Sequence, residues 1–323
     1  MNTQKSHIAF ISIIVPVYND LLVLDELNSR LMNIIPSLCD DFEIILVEDG
    51  SKDGSWAKIE ELNKANLHIV GIKLMRNFGQ QNSIAAGMDH TRGDVIVIMD
   101  SDLQDRPEDI PKLIQAMEIE HKDMAIAKWI SRKDTFIKKF FSGLFFKVSK
   151  RITKINHEPG LGVFRAIRRT ALNQILCIPE KTGTIISLIY WSGIEYAVVE
   201  LHRDPRYAGS SGYNLKKMLK LTFDRIFSYS LFPIRIASTI GVIIGIASFL
   251  FGVFLIIRKV LFENIAAGWT STLVVLAFLF GLNFFFLGII GEYLGRIYLE
   301  TKSRPKYVIS RIVNTDNKSN NEK

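Results

Sequence analysis

The chain has 323 residues, 48% of them hydrophobic, and carries 40 lysines and arginines against 33 acids, a formal net charge of +7. That length holds one large domain or two modest ones, and with two cysteines and six histidines that form no cluster of metal-ligand spacing, a cysteine- or histidine-built metal centre is excluded. The positive balance suits nucleic acid, anionic lipid or an anionic substrate, and the placement of the charges decides among them.

In chain order, "ISIIVPVY" (11–18) and "FEIILVEDG" (42–50) are apolar, β-branched runs ending in turn residues, with an amphipathic stretch between them near residues 20 to 37. This predicts a β-α-β unit. The first run stops at Pro16 and lacks a small-residue cleavage site, so it reads as a strand and not as a signal peptide. Without a signal, the part preceding the apolar C-terminal segments is expected in the cytoplasm, with Cys39 and Cys177 as reduced thiols. A second unit follows: "LHIVGIKLM" as a strand, "QQNSIAAGMDH" as a helix opening after Gly79, and "DVIVIMD" as the next strand. Such alternation predicts a mostly parallel sheet with helices on both faces and a ligand at the carboxyl ends of the strands. Tyr18, Asp20, Asp49, Asp100 and Asp102 fall at those ends.

The run Val95 to Met99 leads straight into Asp100, Asp102 and Asp105. Carboxylates are costly to desolvate, so such a cluster at a buried strand end calls for a cation or a helix N-terminus. Asp100 and Asp102 can turn toward one cation if the chain leaves the pleat at Ser101, and hard oxygen ligands suit Mg²⁺ or Mn²⁺. On the competing reading, Asp105 caps a helix beginning near Pro107 and the other two face solvent.

After that helix and a strand at "DMAIAKWI", the stretch "TFIKKFFSGLFFKVSKRITK" (135–154) has six basic residues and no acid. Phe136, Phe140, Leu144, Val148 and Ile152 recur at spacing four, which fits a helix lying in a membrane interface or a basic-faced helix packed on the sheet. "NLKKMLKLTFDRIFSYSLFP" repeats the theme. No charge occurs from Ile236 to Ile257 or from Ile265 to Gly291, each longer than the roughly 20 residues that cross a bilayer. Two transmembrane helices are expected, against the alternative of two core helices of a soluble protein. Lys216, Lys217, Lys220, Arg225 and Arg235 precede the first, Arg296, Lys302, Arg304 and Lys306 follow the second, and the connection holds only Arg258, Lys259 and Glu263. By the positive-inside rule both termini face the cytoplasm. This placement favours membrane lipid over nucleic acid, for which no binding motif is present. Gly241, Gly245 and Gly252 leave room for helix pairing between copies, a homo-oligomer. The polar tail after about Arg311 is expected to be disordered.

"VPVYND", "VEDGSKDGS", "MRNFGQQNSIAAG" and "MDSDLQDRPEDIPKLI" together resemble a family 2 glycosyltransferase of the GT-A fold, and the last narrows this to polyprenyl-phosphate glycosyltransferases, relatives of dolichyl-phosphate mannose synthase and undecaprenyl-phosphate glucosyltransferases. "RDPRYAGSSGYNLKKMLKL" and the spans closing in "GEYLGRIYLETKSRPKYVI" look like the bacterial branch. The resemblance covers about residues 10 to 310. It implies an α/β, Rossmann-like domain at 1–212, a juxtamembrane amphipathic helix at 213–234, a two-helix hairpin at 235–293 and a basic tail at 294–323, held in the bacterial inner membrane. It implies a nucleotide-sugar donor, a polyprenyl (undecaprenyl) phosphate acceptor, inversion at the anomeric carbon and Mg²⁺ or Mn²⁺. Pro16, Tyr18, Asp20 and Asp49 would hold the nucleoside with Arg76 and Asn77 close by; Asp100 and Asp102 would bind the metal, and Gln104 would lie near the sugar. Arg206, Ser210 and Ser211 would meet the acceptor phosphate, and Arg206 with Arg165 would screen its charge.

Two positions depart from the pattern of the bacterial glucosyl branch: Val163 stands where "GDFR" has an acid, and Gly212 where a lysine is common. A phosphate monoester, with its second pKa at about 6, is already a dianionic nucleophile at neutral pH and needs no general base. Val163 is therefore expected to alter sugar selectivity and not to abolish activity, with Lys216 or Lys217 offsetting the missing lysine. Two rivals stand beside this reading. A processive polysaccharide synthase is disfavoured by two spans and no second acidic cluster. A catalytically idle nucleotide-sugar-binding subunit draws support from Val163 and Gly212 and is opposed by Asp100 and Asp102.

Overall fold

The computed structural model describes residues 8–129, 161–180, 185–204, 232–261, 268–302 and 304–314. Residues 8–204 and 304–314 among these fall in one compact unit, and 232–302 in a second. The expected amphipathic helix at 135–154, most of that at 213–234, Gly212, and the acceptor residues Arg206, Ser210 and Ser211 lie outside the described residues.

The first unit is built on an eight-stranded mixed sheet. Its strands are β1 (Ile8–Val17), β2 (Cys39–Glu48), β3 (Ile69–Leu74), β4 (Val95–Ile98), β5 (Met124–Trp129), β6 (Leu161–Arg168), β7 (Tyr196–Leu201) and β8 (Ile309–Val313), in the order β7-β5-β6-β4-β1-β2-β3-β8. Parallel pairing joins β4, β1, β2 and β3, and also β5 with β7; β6 is antiparallel to both β4 and β5. β1 is central and buried on both faces, as its isoleucine- and valine-rich run requires. Each isoleucine sealed there stabilises the fold by roughly 1.5–3 kcal/mol.

Helices cover both faces. On one side, α1 (Leu24–Ile34) sets Leu24, Leu27 and Leu31 against the core, and α2 (Ser55–Ala65) adds Ile59 and Leu62. The opposite face packs against α3 (Gln80–Asp89), α5 (Arg169–Leu176) and α6 (Ile185–Trp191), with Ile84, Met88, Leu172 and Leu188 buried there. After β3 the chain crosses back to place β4 on the other side of β1. The crevice of such a sheet opens where strand order reverses, here at the carboxyl ends of β1 and β4.

One competing reading and one expectation need correction. A 3-10 turn at Pro107–Asp109 leads into α4 (Ile110–Ile119), and its N-terminal flank is Arg106 with no side-chain cap, so Asp105 is not a cap. The tail is ordered at its start: β8 pairs antiparallel with β3, Gly71 opposite Val313 and Lys73 opposite Arg311. Arg311 reaches Glu60 at 2.7 Å, and the Tyr307 hydroxyl donates to Asp89 at 2.5 Å.

The second unit contains α7 (Phe232–Leu261) and α8 (Trp269–Thr301). Both are long and apolar enough to cross a membrane, over Ile236–Phe254 and Phe278–Thr301, and only 6% and 0% of those stretches is buried within the protein. The exposed apolar surface does not fit core helices of a soluble protein.

Candidate functional site

Four loops meet at the carboxyl ends of β1, β2, β3 and β4. The loop after β1 is clasped to the one after β2: Asn19 N–H donates to Ser51 Oγ at 3.1 Å, Lys52 N–H to Asn19 Oδ1 at 3.0 Å, and Leu21 N–H to Asp53 Oδ2 at 3.0 Å. Pro16 is buried at the end of β1, and Tyr18 stands 50% exposed beside it. Asp20 connects this loop to the acidic one, its Oδ2 accepting from the Ser101 hydroxyl at 2.6 Å and from Tyr18 N–H at 3.2 Å.

Asp49 is only 3% exposed, and both its oxygens are occupied by Phe78 N–H at 2.7 Å and Gly79 N–H at 2.9 Å. Burial pushes its pKa up, the two amides and the Ser83 hydroxyl pull it down, and Glu48 adds to the rise. Gly50 makes the close approach between these loops. With φ of +70°, it passes so near the next loop that a Cβ would lie 2.5 Å from Asn77 N. Arg76 and Asn77 are exposed there, with the Arg76 guanidinium 4.2 Å from the Phe78 ring centre.

After β4 the chain forms the acidic loop. Asp100 Oδ1 accepts from Gln80 Nε2 at 2.5 Å, and Asp102, 9% exposed, accepts from Gln104 N–H at 3.2 Å. Leu103 takes φ of +57° with its side chain in the core, an uncommon left-handed conformation for a leucine and one that fixes the turn. Asp105 is 1% exposed, and its Oδ1 has no hydrogen-bond partner. Its pKa rises to about 7, chiefly through burial and then through Asp100, with Arg203 opposing the shift. Gln104 Nε2 donates to the Asp204 carbonyl at 3.2 Å.

Arg165 lies on β6 with no exposure, donating to the carbonyls of Val163 at 2.9 Å and Gly162 at 2.7 Å. Burial lowers its pKa, and nearby Tyr190 and Asp100 counter this. It pairs with Ile98 of β4, two residues before Asp100, and is not on an open surface. Val163 packs with Leu161 and Tyr190 against the apolar cluster on the same side of the sheet.

The fold thus brings Pro16, Tyr18, Asp20, Asp49, Arg76, Asn77, Asp100, Asp102 and Gln104 to one edge. Two residues given no such role in the sequence reading join them: Gln80, on Asp100, and Arg203, whose Nη2 lies 3.5 Å from Asp100 Oδ2. Arg203 opens the segment "RDPRYAGSSGYNLKKMLKL" quoted for the resemblance, just past a strand end, but that segment alone attached no role to it.

Residues 12–176 match the family model described as "Glycosyl transferase family 2". The chain belongs to glycosyltransferase family 2. Within this family it is 36% identical over 93% of its length to the bactoprenol glucosyl transferase of Shigella phage SfX, covering 98% of that protein. It is 35% identical over 98% of its length to the uncharacterized glycosyltransferase YkcC of Bacillus subtilis, covering 97% of it. It is also 35% identical over 96% to the undecaprenyl-phosphate 4-deoxy-4-formamido-L-arabinose transferase of Shewanella sediminis, covering 94%. Glucosyl-3-phosphoglycerate synthase from Mycobacterium tuberculosis, solved with Mn²⁺, UDP-glucose and glycerol 3-phosphate, aligns with a TM-score of 0.49 at 15% identity over 68% of this chain and 78% of that one.

Proposed function

We propose that this family 2 glycosyltransferase moves a sugar from a nucleotide-sugar donor to the phosphate of a polyprenyl lipid, on the cytoplasmic face of the bacterial inner membrane. The observation that carries the reading is the acidic loop at the switch point of the sheet, facing loops that can frame a nucleoside. Relatives named for bactoprenol and undecaprenyl phosphate, similar along nearly the whole chain, support the acceptor class.

A divalent cation fits this loop. Asp100, Asp102 and buried Asp105 concentrate negative charge, an Asp105 oxygen lacks a hydrogen bond, and the oxygen donors are hard ones that suit Mg²⁺ or Mn²⁺. No group of three or more such side chains assembles into a complete metal site among the described residues, so donor phosphates would complete the shell held by Asp100 and Asp102. When bound, the ion would supply Lewis-acid stabilisation of the departing nucleoside diphosphate.

Tyr18 would flank the nucleoside, with Arg76 and Asn77 beside it. Asp20 and Asp49 serve it by holding the loops together. Gln104, tied between Asp102 and Asp204, would orient the sugar. An acceptor phosphate oxygen attacks the anomeric carbon, its bond to the diphosphate oxygen breaks, and configuration inverts. No proton has to be removed, so positioning and charge screening suffice. Arg206, Ser210 and Ser211 would receive the acceptor phosphate, and Arg165 would support the acidic loop from β6. Val163 would tune the choice of sugar.

The test is transfer from a panel of radiolabelled nucleotide sugars to undecaprenyl phosphate in detergent with Mn²⁺ or Mg²⁺. A lipid-linked product from one donor is expected, abolished by chelator and by Asp102→Asn. Folded protein that binds nucleotide yet yields no product from any donor would overturn the proposal in favour of an idle subunit.

A further inference from the structure

Arg203 comes to the acidic loop from beyond the end of β7, three strands away from β4 in the sheet. Its Nη2 is 3.5 Å from Asp100 Oδ2 and its Nε 3.6 Å from Asp105 Oδ1, and the guanidinium lies 5.3 Å from the Trp129 ring centre. Charge-assisted hydrogen bonds close to about 2.7–2.9 Å, so this cation is held by the cluster without being locked to it. Its mount is firmer. Asp204 N–H donates to the Gln104 carbonyl and the Asp204 carbonyl accepts from Gln104 Nε2, both at 3.2 Å, and Asp204 Oδ2 lies 3.3 Å from Arg106 Nε. The backbone is fastened to the acidic loop while the charged tip is half exposed and loosely engaged.

Asp105 is buried next to Asp100, and two carboxylates so placed repel each other unless a cation stands between them. We propose that Arg203, among the described residues, is a stand-in cation of this loop: it helps neutralise Asp100 and Asp105 before a divalent ion binds and yields them when one does. This rests on the metal reading of the loop given above. A guanidinium and a divalent ion at the same carboxylate oppose each other, so occupancy by one weakens the other. Arg203 is thus a positioning residue, keeping the loop folded before the donor arrives at the cost of some metal affinity.

The experiment titrates Mn²⁺ alone into the full-length protein in detergent, reading bound metal by electron paramagnetic resonance and stability by thermal unfolding. Removing a half-exposed ion-pair partner corresponds to a change of up to about fivefold. Arg203→Gln is therefore expected to bind Mn²⁺ up to about fivefold more tightly, and to unfold at a lower temperature without metal but not with it. Arg203→Lys should stay near the native values, and Asp102→Asn should lose Mn²⁺ binding. A merely structural role would leave Mn²⁺ affinity of Arg203→Gln unchanged or weaker, and either result overturns the stand-in role alone. Absence of Mn²⁺ binding in native protein and variant alike, even with UDP present, would sink the metal reading beneath it and this proposal with it.

Discussion

A carboxylate that accepts two backbone N–H groups is poorly replaced by its own amide. Asp49→Asn keeps one acceptor oxygen and turns a donor toward the other N–H, so it should cost about 1–3 kcal/mol of stability. The loop at Arg76–Gly79 would loosen with it, and steady-state kinetics should show donor KM rising more than kcat falls. Cys39 offers a separate check on the packing. Burial pushes its thiol from an ordinary value of 9.0 to about 11, so folding holds this proton more tightly than the unfolded chain does. The thiolate is scarce at neutral pH, and the contribution to stability declines only as pH rises from about 9 toward 11. Alkylation followed by mass spectrometry should find exposed Cys177 modified first at pH 7.5, with Cys39 following as pH approaches its pKa. Asp100 and Asp102 were legible in the sequence because a buried run delivers them at a strand end. Arg203 was not, since its arrival depends on the order β7-β5-β6-β4, which no local pattern encodes.

At the scale of elements, the loops after β2 and β3 are joined through Asp49 and pass closest at Gly50. Gly50→Ala would place a methyl group against Asn77 N in a left-handed backbone, with nothing flexible to give way. A loss of about 1–3 kcal/mol and a weaker nucleotide affinity are expected, read by unfolding and by calorimetric titration of UDP and GDP. The parallel core was readable from its β-branched runs and the turn residues closing them. β8 was not: "ISRIV" is short and carries an arginine at its centre, so it reads as part of a polar tail until β3 supplies the partner edge. Tyr307, whose pKa is raised by burial and by Asp89, stays a hydrogen-bond donor across the working pH range. Tyr307→Phe should lower stability by about 1 kcal/mol, whereas deleting residues 304–323 should bare the β3 edge and produce aggregation visible by size exclusion.

For the whole molecule, the sheet and the apolar helix pair make distinct demands on their surroundings. The expected topology places Glu263 outside and Cys177 inside. A membrane-impermeant maleimide added to intact cells should label Glu263→Cys and leave Cys177 untouched; the reverse pattern would invert the orientation. The pairing of Gly71 with Val313 also bears on biogenesis. β3 emerges early from the ribosome and its edge partner close to last, with both apolar helices made in between. At translation rates of about 5–20 residues per second that interval is on the order of tens of seconds. Loop closure itself grows only logarithmically with length, so the wait and not the entropy is the hazard. On the proposed topology α7 and α8 are synthesised, and free to enter the membrane, before the sheet can be completed, and a nascent chain stalled at that stage would present an unpaired strand edge to any chaperone or neighbouring copy within reach.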